Sequence, residues 1–280
     1  MSATPRIAIS LGASFMGYAT HAGFMARLQS LGVRPVAISG SSAGAITAGF
    51  YAAGLEQEAI RQAVLSPRLY LSFAKRTKWI WHQFVTVYRH RHPGFLDPTG
   101  AIAHFESLVG TGNIESLSNP KLMIALSDLE KNATLFATRG HLATAMAASA
   151  CVPMLFSPLE FEERMCTDGG IAHEVPVDPW FADDGVDHII MHRITQPQGK
   201  PPLMLHGRLL DTIAASHEAL NRQILTDRIE LARLHGKKMT VITTIHSRPS
   251  PLFPGRLKER YSMGEETAQK LFDETLSKLL

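Results

Sequence analysis

The sequence has little cysteine, no long hydrophobic run and no leader-like start. Its two cysteines, Cys151 and Cys166, are too few for a disulfide framework, and no histidine spacing around them matches a zinc site. No stretch approaches the roughly 18 apolar residues of a membrane span. Met1–Ser10 also lacks the apolar run of a signal peptide. These absences favour a protein of the reducing cytoplasm.

A large excess of charge of one sign is also missing. The formal net charge is +3, from 28 basic and 25 acidic residues, so we expect no nucleic-acid partner. The charge is uneven, because residues 59–96 contain seven Lys or Arg residues and no acidic residue, which leaves −4 on the rest of the chain. With 45% hydrophobic residues over 280 positions, the composition is that of a globular protein with a sizeable core.

The order of the apolar segments predicts an α/β fold. Strand-like and helix-like patterns alternate at Arg6–Leu11, Ala19–Leu31, Pro35–Ser39 and Ala43–Ala53. Such alternation is typical of a parallel sheet. Further strands are predicted at Lys121–Leu126, Thr134–Thr138, Phe161–Thr167, His188–Met191 and Met239–Ile245, and further helices at Asp211–Leu234 and, opened by a capping box, from Ser262 to Leu280.

One candidate for chemistry is a serine between a predicted strand and a predicted helix. Gly40–Gly44 matches G-x-S-x-G, the pattern of a nucleophile elbow, in which Gly40 and Gly44 permit a strained turn and Ser42 projects at a helix N-terminus. A plain glycine-rich turn is the alternative. The base for such a serine is one of 13 histidines, as in a Ser-His-Asp triad, or Asp168 in Asp168-Gly169-Gly170. Asp-Gly is also common in hairpin turns, so the residues alone leave this choice open.

A second loop of small residues, Gly12–Gly17, also follows a predicted strand. Two loops at the carboxyl ends of parallel strands face the same crevice, so this loop could offer backbone N–H groups to an oxyanion. Phosphate binding is the alternative, although the loop lacks both the P-loop pattern and the third glycine of a dinucleotide fingerprint.

Several short motifs follow one another over well over half of the chain: Gly12–Gly17, Gly40–Gly44, Ser127-Asp128-Leu129, Ala148–Phe156, Asp168-Gly169-Gly170 and Val175-Pro176-Val177. In this order the chain resembles the patatin-like phospholipase family. The resemblance implies a central, mostly parallel sheet sandwiched by helices in a three-layer architecture. We interpret residues 1–280 as one catalytic domain, with a motif-bearing core at about 6–177 and a helical part with a late strand at 192–280.

The resemblance also implies the chemistry. Ser42 would be the nucleophile and Asp168 the base of a Ser–Asp dyad that cleaves fatty-acyl esters of phospholipids or lysophospholipids through an acyl-serine intermediate. No metal and no cofactor is implied. One alternative is an acyltransferase or thioesterase on the same dyad. Another is a lipid-binding or regulatory protein whose altered oxyanion loop has weakened or lost catalysis. The oxyanion N–H donors implied by position are those of Gly12, Ala13, Ser14 and Ala43.

The chain departs from the family pattern at two places. Ala13 and Ser14 replace glycines of the family loop and Met16 replaces a basic residue, which puts the conformation of the loop in question because Ala and Ser tolerate positive φ poorly. His173-Glu174 stands where the family commonly has Asn before x-Pro.

The segment without acidic residues is also rich in aromatic side chains. Basic residues favour an anionic membrane surface and Trp favours its interface, so this segment predicts a peripheral membrane contact. A cap helix whose aromatic side chains pack on the core is the alternative. The residues named for the contact are Lys75, Arg76, Lys78, Trp79 and Trp81.

Overall fold

Strands and helices alternate along the chain, as the apolar segments predict. The computed structural model describes residues 4–73, 93–197, 224–247 and 254–279. The strands are β1 (Ile7–Leu11), β2 (Ala37–Ser41), β3 (Gly94–Leu96), β4 (Lys121–Asp128), β5 (Ala133–Ala137), β6 (Met154–Phe156), β7 (Leu159–Phe161), β8 (Arg164–Thr167), β9 (His188–Thr195) and β10 (Lys238–Ile245). The helices are α1 (Tyr18–Ser30), α2 (Ala43–Ala52), α3 (Gln57–Leu65), α4 (Pro67–Ser72), α5 (Thr99–Val109), α6 (Leu142–Ser149), α7 (Gly169–Ala172), α8 (224–234) and α9 (Leu257–Glu274).

Most of these strands form one sheet. In the described part of the chain its order is β10-β9-β1-β2-β4-β8-β7, and β5 also pairs with β4. The five strands from β10 to β4 are parallel, whereas β5, β7 and β8 are antiparallel to their neighbours. Leu11 of β1 lies beside Gly40 of β2, so the loop that follows β1 meets the turn that follows β2.

Each central strand divides its side chains between two cores. In β1, Ile7, Ile9 and Leu11 belong to a large cluster shared with α1, α2 and α9. Ala8 points to the opposite face, into a second cluster formed by residues 175–186 and by Ala232 of α8. The sheet therefore lies between two layers, and the predicted fold class is confirmed.

Two sequence predictions about element boundaries are wrong. Phe161–Thr167 is not one strand, because Glu162 and Glu163 take left-handed conformations (φ 49 and 60) and form a tight turn between β7 and β8. Ser262 does not open the last helix, since α9 already begins at Leu257. Of the predicted helix Asp211–Leu234, residues 224–234 are helical and the earlier residues lie outside the described ranges.

A membrane-spanning helix is not among the described elements. In the ranges given above, no helix is both long and apolar enough to cross a bilayer.

Candidate active site

Ser42 occupies the single position between the end of β2 and the start of α2. Its backbone has φ 53 and ψ −119, a region that residues with side chains rarely adopt and that costs about 1–3 kcal/mol. Both flanking glycines are required by close approach. A Cβ at Gly40 would overlap the carbonyl of Gly44, and a Cβ at Gly44 would overlap the carbonyl of Leu11. The turn therefore has the geometry of a nucleophile elbow.

Asp168 follows β8 in the same way and points at Ser42. The Ser42 hydroxyl donates to Asp168 Oδ2 at 2.7 Å, although the two residues are 126 positions apart in sequence. The other carboxylate oxygen, Oδ1, accepts from the N–H of Gly170 at 2.7 Å, so Asp168 caps α7 and does not form a hairpin turn. Both side chains are nearly buried, since Ser42 is 8% exposed and Asp168 is 4% exposed. The hydrogen bond is therefore shielded from bulk water.

The backbone of Asp168 is held on both sides. Its N–H donates to the carbonyl of Cys151 at 3.0 Å. Its carbonyl accepts from the Ser127 hydroxyl at 2.8 Å. The Ser127 hydroxyl in turn accepts from the N–H of Ala172 at 3.1 Å, which ties β4 to α7. The backbone of Asp168 is thus held by β4 and by the segment that follows α6.

The loop after β1 lies beside the elbow, but two of the three predicted N–H donors in this loop already donate to protein carbonyls. Gly12 N–H donates to the carbonyl of His192 at 3.0 Å, and Ala13 N–H donates to the carbonyl of Glu174 at 2.8 Å. This corrects the predicted oxyanion set, because a backbone N–H that donates to a protein carbonyl is not free for an oxyanion. The N–H groups of Ser14 and Ala43 meet no acceptor within the described part of the chain.

The loss of glycines from this loop does not strain Ala13 or Ser14. Neither has a positive φ; the left-handed conformation falls on Met16, with φ 53. Met16 is 8% exposed and belongs to the large core cluster, so packing holds it in this conformation.

A buried histidine pair supports the loop from behind. His21 Nε2 lies 2.8 Å from the carbonyl of Gly12 and must donate to it, because a carbonyl oxygen only accepts. Nδ1 of His21 then accepts from His192 Nδ1, 3.0 Å away. Burial lowers the pKa of His21 to about 3 and that of His192 well below its ordinary value, so both rings are neutral. Sequence reasoning missed this pair, since nothing in the local pattern separates these histidines from the others.

His173 and Glu174 have structural contacts of their own. His173 Nε2 lies 2.9 Å from Asp178 Oδ2 and 2.7 Å from the guanidinium of Arg228. The Glu174 carboxylate forms a two-point ion pair with Arg193, at 3.0 and 2.9 Å. This ion pair fixes Glu174, whose backbone carbonyl accepts from the N–H of Ala13. No sequence pattern indicated this role.

The residues predicted to contact a membrane lie outside the described ranges. These are Lys75, Arg76, Lys78, Trp79 and Trp81. The membrane contact therefore stays a prediction.

The fold and the site together define a class: α/β proteins with a serine on a glycine-flanked strand–helix turn and a carboxylate hydrogen-bonded to it. Comparison with known proteins narrows the class, since the profile of the patatin-like phospholipase family matches residues 9–180, more than half of the chain. The chain belongs to the patatin-like phospholipase family, as the order of its motifs indicated.

Similar proteins are found among curated sequences and solved structures. Uncharacterized NTE family proteins of Mycobacterium bovis and Mycobacterium tuberculosis are 32% identical over 184 residues, which cover 64% of this chain and 46% of theirs. The match thus spans about half the length of these curated relatives. The crystal structure of VipD from Legionella pneumophila is similar in fold, with a TM-score of 0.50, 12% identity, and coverage of 96% of this chain and 67% of VipD.

Proposed function

We propose that this protein is a serine acyl hydrolase that cleaves fatty-acyl esters of phospholipids or lysophospholipids through a Ser42–Asp168 dyad. The observation that carries the proposal is the 2.7 Å hydrogen bond from the Ser42 hydroxyl to Asp168 Oδ2. A general base must lie within hydrogen-bond reach of the proton that it removes, and this carboxylate does. Family membership supports lipid hydrolysis as the reaction class.

In the first half of the reaction, Ser42 Oγ attacks the ester carbonyl carbon while its proton passes to Asp168. The carbonyl oxygen becomes an oxyanion, to which we assign as donors the N–H groups of Ser14 and Ala43, which meet no acceptor in the described part of the chain. The positive end of α2 favours the charge of the oxyanion. The tetrahedral intermediate then collapses. The bond to the alcohol breaks, and Asp168 returns the proton to the leaving oxygen, so that an acyl-serine remains.

In the second half, water takes the place of the alcohol. Asp168 accepts a proton from water, whose oxygen attacks the acyl carbonyl carbon, and the same N–H groups face the second oxyanion. Collapse releases the fatty acid, and the proton returns to Ser42 Oγ. If another alcohol replaced water, the same dyad would act as an acyltransferase. If a thioester replaced the glyceryl ester, it would act as a thioesterase.

Labelling with a fluorophosphonate tests the nucleophile directly. We expect the wild-type protein to be labelled at Ser42 and Ser42→Ala to lose labelling completely. Ser41→Ala is the matched control, because Ser41 is the buried neighbour whose hydroxyl has no hydrogen-bond partner in the described part of the chain. Intact-mass measurement and peptide mapping read out the result. A folded wild-type protein that is not labelled contradicts the proposal and favours a lipid-binding protein without catalysis.

A substrate panel then separates the enzyme alternatives. Phospholipid, lysophospholipid and acyl-CoA are offered with and without an alcohol acceptor, and free fatty acid is measured. Release of fatty acid from the glycerophospholipid esters supports the proposed substrate class. Preferential turnover of acyl-CoA, or transfer to the added alcohol, contradicts it while leaving the dyad in place.

A further inference from the structure

The C-terminal end of α6 contacts both members of the proposed dyad. The Ser149 hydroxyl accepts from the N–H of Ser42 at 2.9 Å and donates to the carbonyl of Ala125 on β4 at 2.7 Å. Two residues further on, the carbonyl of Cys151 accepts from the N–H of Asp168 at 3.0 Å. One short segment, Ser149–Cys151, therefore spans the nucleophile and the base.

The Ser149 hydroxyl is fixed in direction as well as in place. Ser149 is fully buried, so bulk water does not compete for the hydrogen bonds of its hydroxyl. The hydroxyl proton goes to the carbonyl of Ala125, and an oxygen lone pair accepts from the N–H of Ser42. This is the one arrangement that satisfies both groups, because a carbonyl cannot donate and an N–H cannot accept. Ser149 thereby bridges β4 and the elbow.

This bridge acts on the peptide group before Ser42. The peptide group after Ser42 is held by α2, because its carbonyl accepts from Ala45 N–H at 3.0 Å and Ile46 N–H at 3.2 Å. The N–H of Ser42 lies before the first turn of α2, which offers it no acceptor. Ser149 is thus the group that holds the strained φ of Ser42 from the strand side.

We infer that Ser149 is a positioning residue, which directs the Ser42 hydroxyl toward Asp168. The segment Ser149–Cys151 holds the backbones of the nucleophile and the base at a fixed distance from each other. The inference rests on the proposed function, because it assigns a role within that reaction. Ser149 lies in the Ala148–Phe156 motif, which no sequence pattern connected with a chemical role. The distance between nucleophile and base therefore depends on the C-terminal end of α6.

The test replaces the hydroxyl and measures the reaction at Ser42. In Ser149→Ala the Ser42 N–H loses its acceptor and the Ala125 carbonyl loses the Ser149 donor, so the elbow relaxes. A displacement on the order of 1 Å can cost about 100-fold in rate. We expect at least a roughly tenfold fall in the rate constant for phosphonylation of Ser42 by the fluorophosphonate at saturation. The half-saturating probe concentration should be unchanged, because the Ser149 side chain is fully buried and does not contact the probe. Ser149→Thr keeps the hydroxyl and should restore most of the rate.

Ser10→Ala is the matched control for loss of a buried hydroxyl. Ser10 is also fully buried and hydrogen-bonds to the Ser39 hydroxyl at 2.8 Å and the carbonyl of Pro176 at 3.2 Å, on the opposite face of the sheet from α2. It should lower the melting temperature about as much as Ser149→Ala without slowing the phosphonylation of Ser42. If Ser149→Ala does not fold, Ser149→Cys takes its place, because a thiol fills the space but hydrogen-bonds weakly.

The outcomes separate this inference from the proposed function. Wild-type labelling, loss of labelling in Ser42→Ala and an unchanged rate in the folded Ser149→Ala or Ser149→Cys protein overturn the positioning role alone. A slower rate in Ser149→Ala that Ser10→Ala reproduces also overturns it, since the effect would then be one of stability. Absence of labelling in the wild-type protein overturns the proposed function itself.

Discussion

Ser42 takes a backbone conformation that is unfavourable for a residue with a side chain, and its neighbours keep it there. The strain of about 1–3 kcal/mol is offset by hydrogen bonds on both sides, from Ser149 before it and from the first turn of α2 after it. The conformation turns the Ser42 hydroxyl away from the flanking strand and helix and toward Asp168, so that Oγ lies 2.7 Å from Asp168 Oδ2.

Asp168→Asn tests the base at the scale of one residue. The carboxamide can still accept from Gly170 N–H, so the fold should be kept, but it cannot take the proton of Ser42. A general base contributes about 10²–10⁴-fold, so we expect a loss of ester hydrolysis within that range or larger, approaching that of Ser42→Ala. Hydrolysis of a chromogenic ester and the melting temperature are measured together.

His173→Gln is the control for a histidine-based triad. The His173 ring is held by Asp178 and Arg228, so its replacement should leave hydrolysis close to the wild-type rate. Activity that survives Asp168→Asn and disappears in a histidine variant would replace the dyad by a triad.

At the scale of elements, α1 and α9 approach each other so closely that the contact requires glycine. A Cβ at Gly264 of α9 would overlap the carbonyl of Thr20, and a Cβ at Gly23 of α1 would overlap the carbonyl of Tyr261. The same helix α1 carries His21, which donates to the carbonyl of Gly12 behind the oxyanion loop. Packing of the last helix thus supports the layer that holds the site.

Gly264→Ala tests this packing. The added methyl group has backbone atoms as neighbours, which cannot move aside, so we expect a loss of about 1–3 kcal/mol in the free energy of unfolding. Gly255→Ala is the control, because a Cβ there meets nothing within 4 Å. Urea unfolding of both variants gives the comparison. Equal free energies of unfolding for Gly264→Ala and Gly255→Ala would contradict the close contact between α1 and α9.

At the scale of the whole molecule, folding buries several histidines in the neutral state. Burial lowers the pKa of His21 to about 3, and burial together with the nearby Lys238 lowers the pKa of His188 to about 4. The unfolded chain takes up protons at these residues near pH 6.5, where the folded protein does not. Acid therefore favours the unfolded state by proton uptake.

The stability should consequently depend on pH with a definite sign. The contribution of each neutral histidine to stability is fully present above about pH 6.5. It is lost as the pH falls toward the pKa in the folded protein, about 4 for His188 and about 3 for His21. The slope is up to about 1.4 kcal/mol per pH unit for each such histidine. Urea unfolding at several pH values between these limits measures the slope. His188→Gln should reduce it, whereas a slope that is flat or unchanged in this variant contradicts the assignment.

The sequence by itself determined the α/β class and the glycine-flanked turn of Ser42. These two features are local: apolar alternation marks strands, and glycines around a serine mark a turn that only small residues can form. The order of the motifs indicated the family, and only that resemblance named Asp168 as the partner of Ser42. Even here the boundaries shifted. β2 is predicted to end at Ser39 and runs to Ser41, because pairing with β4 extends it up to the elbow.

The tertiary structure alone decided how the site is held. It brought Ser42 and Asp168 together across 126 positions, withdrew Gly12 and Ala13 from the oxyanion set, and gave Ser149, His21 and the Glu174 carbonyl their contacts. These contacts join backbone N–H and carbonyl groups with side chains from distant elements. Every residue type offers a backbone carbonyl, and serine and histidine are found in many surroundings, so no local pattern marks them. Only the packing of the chain determines which groups come within hydrogen-bond reach.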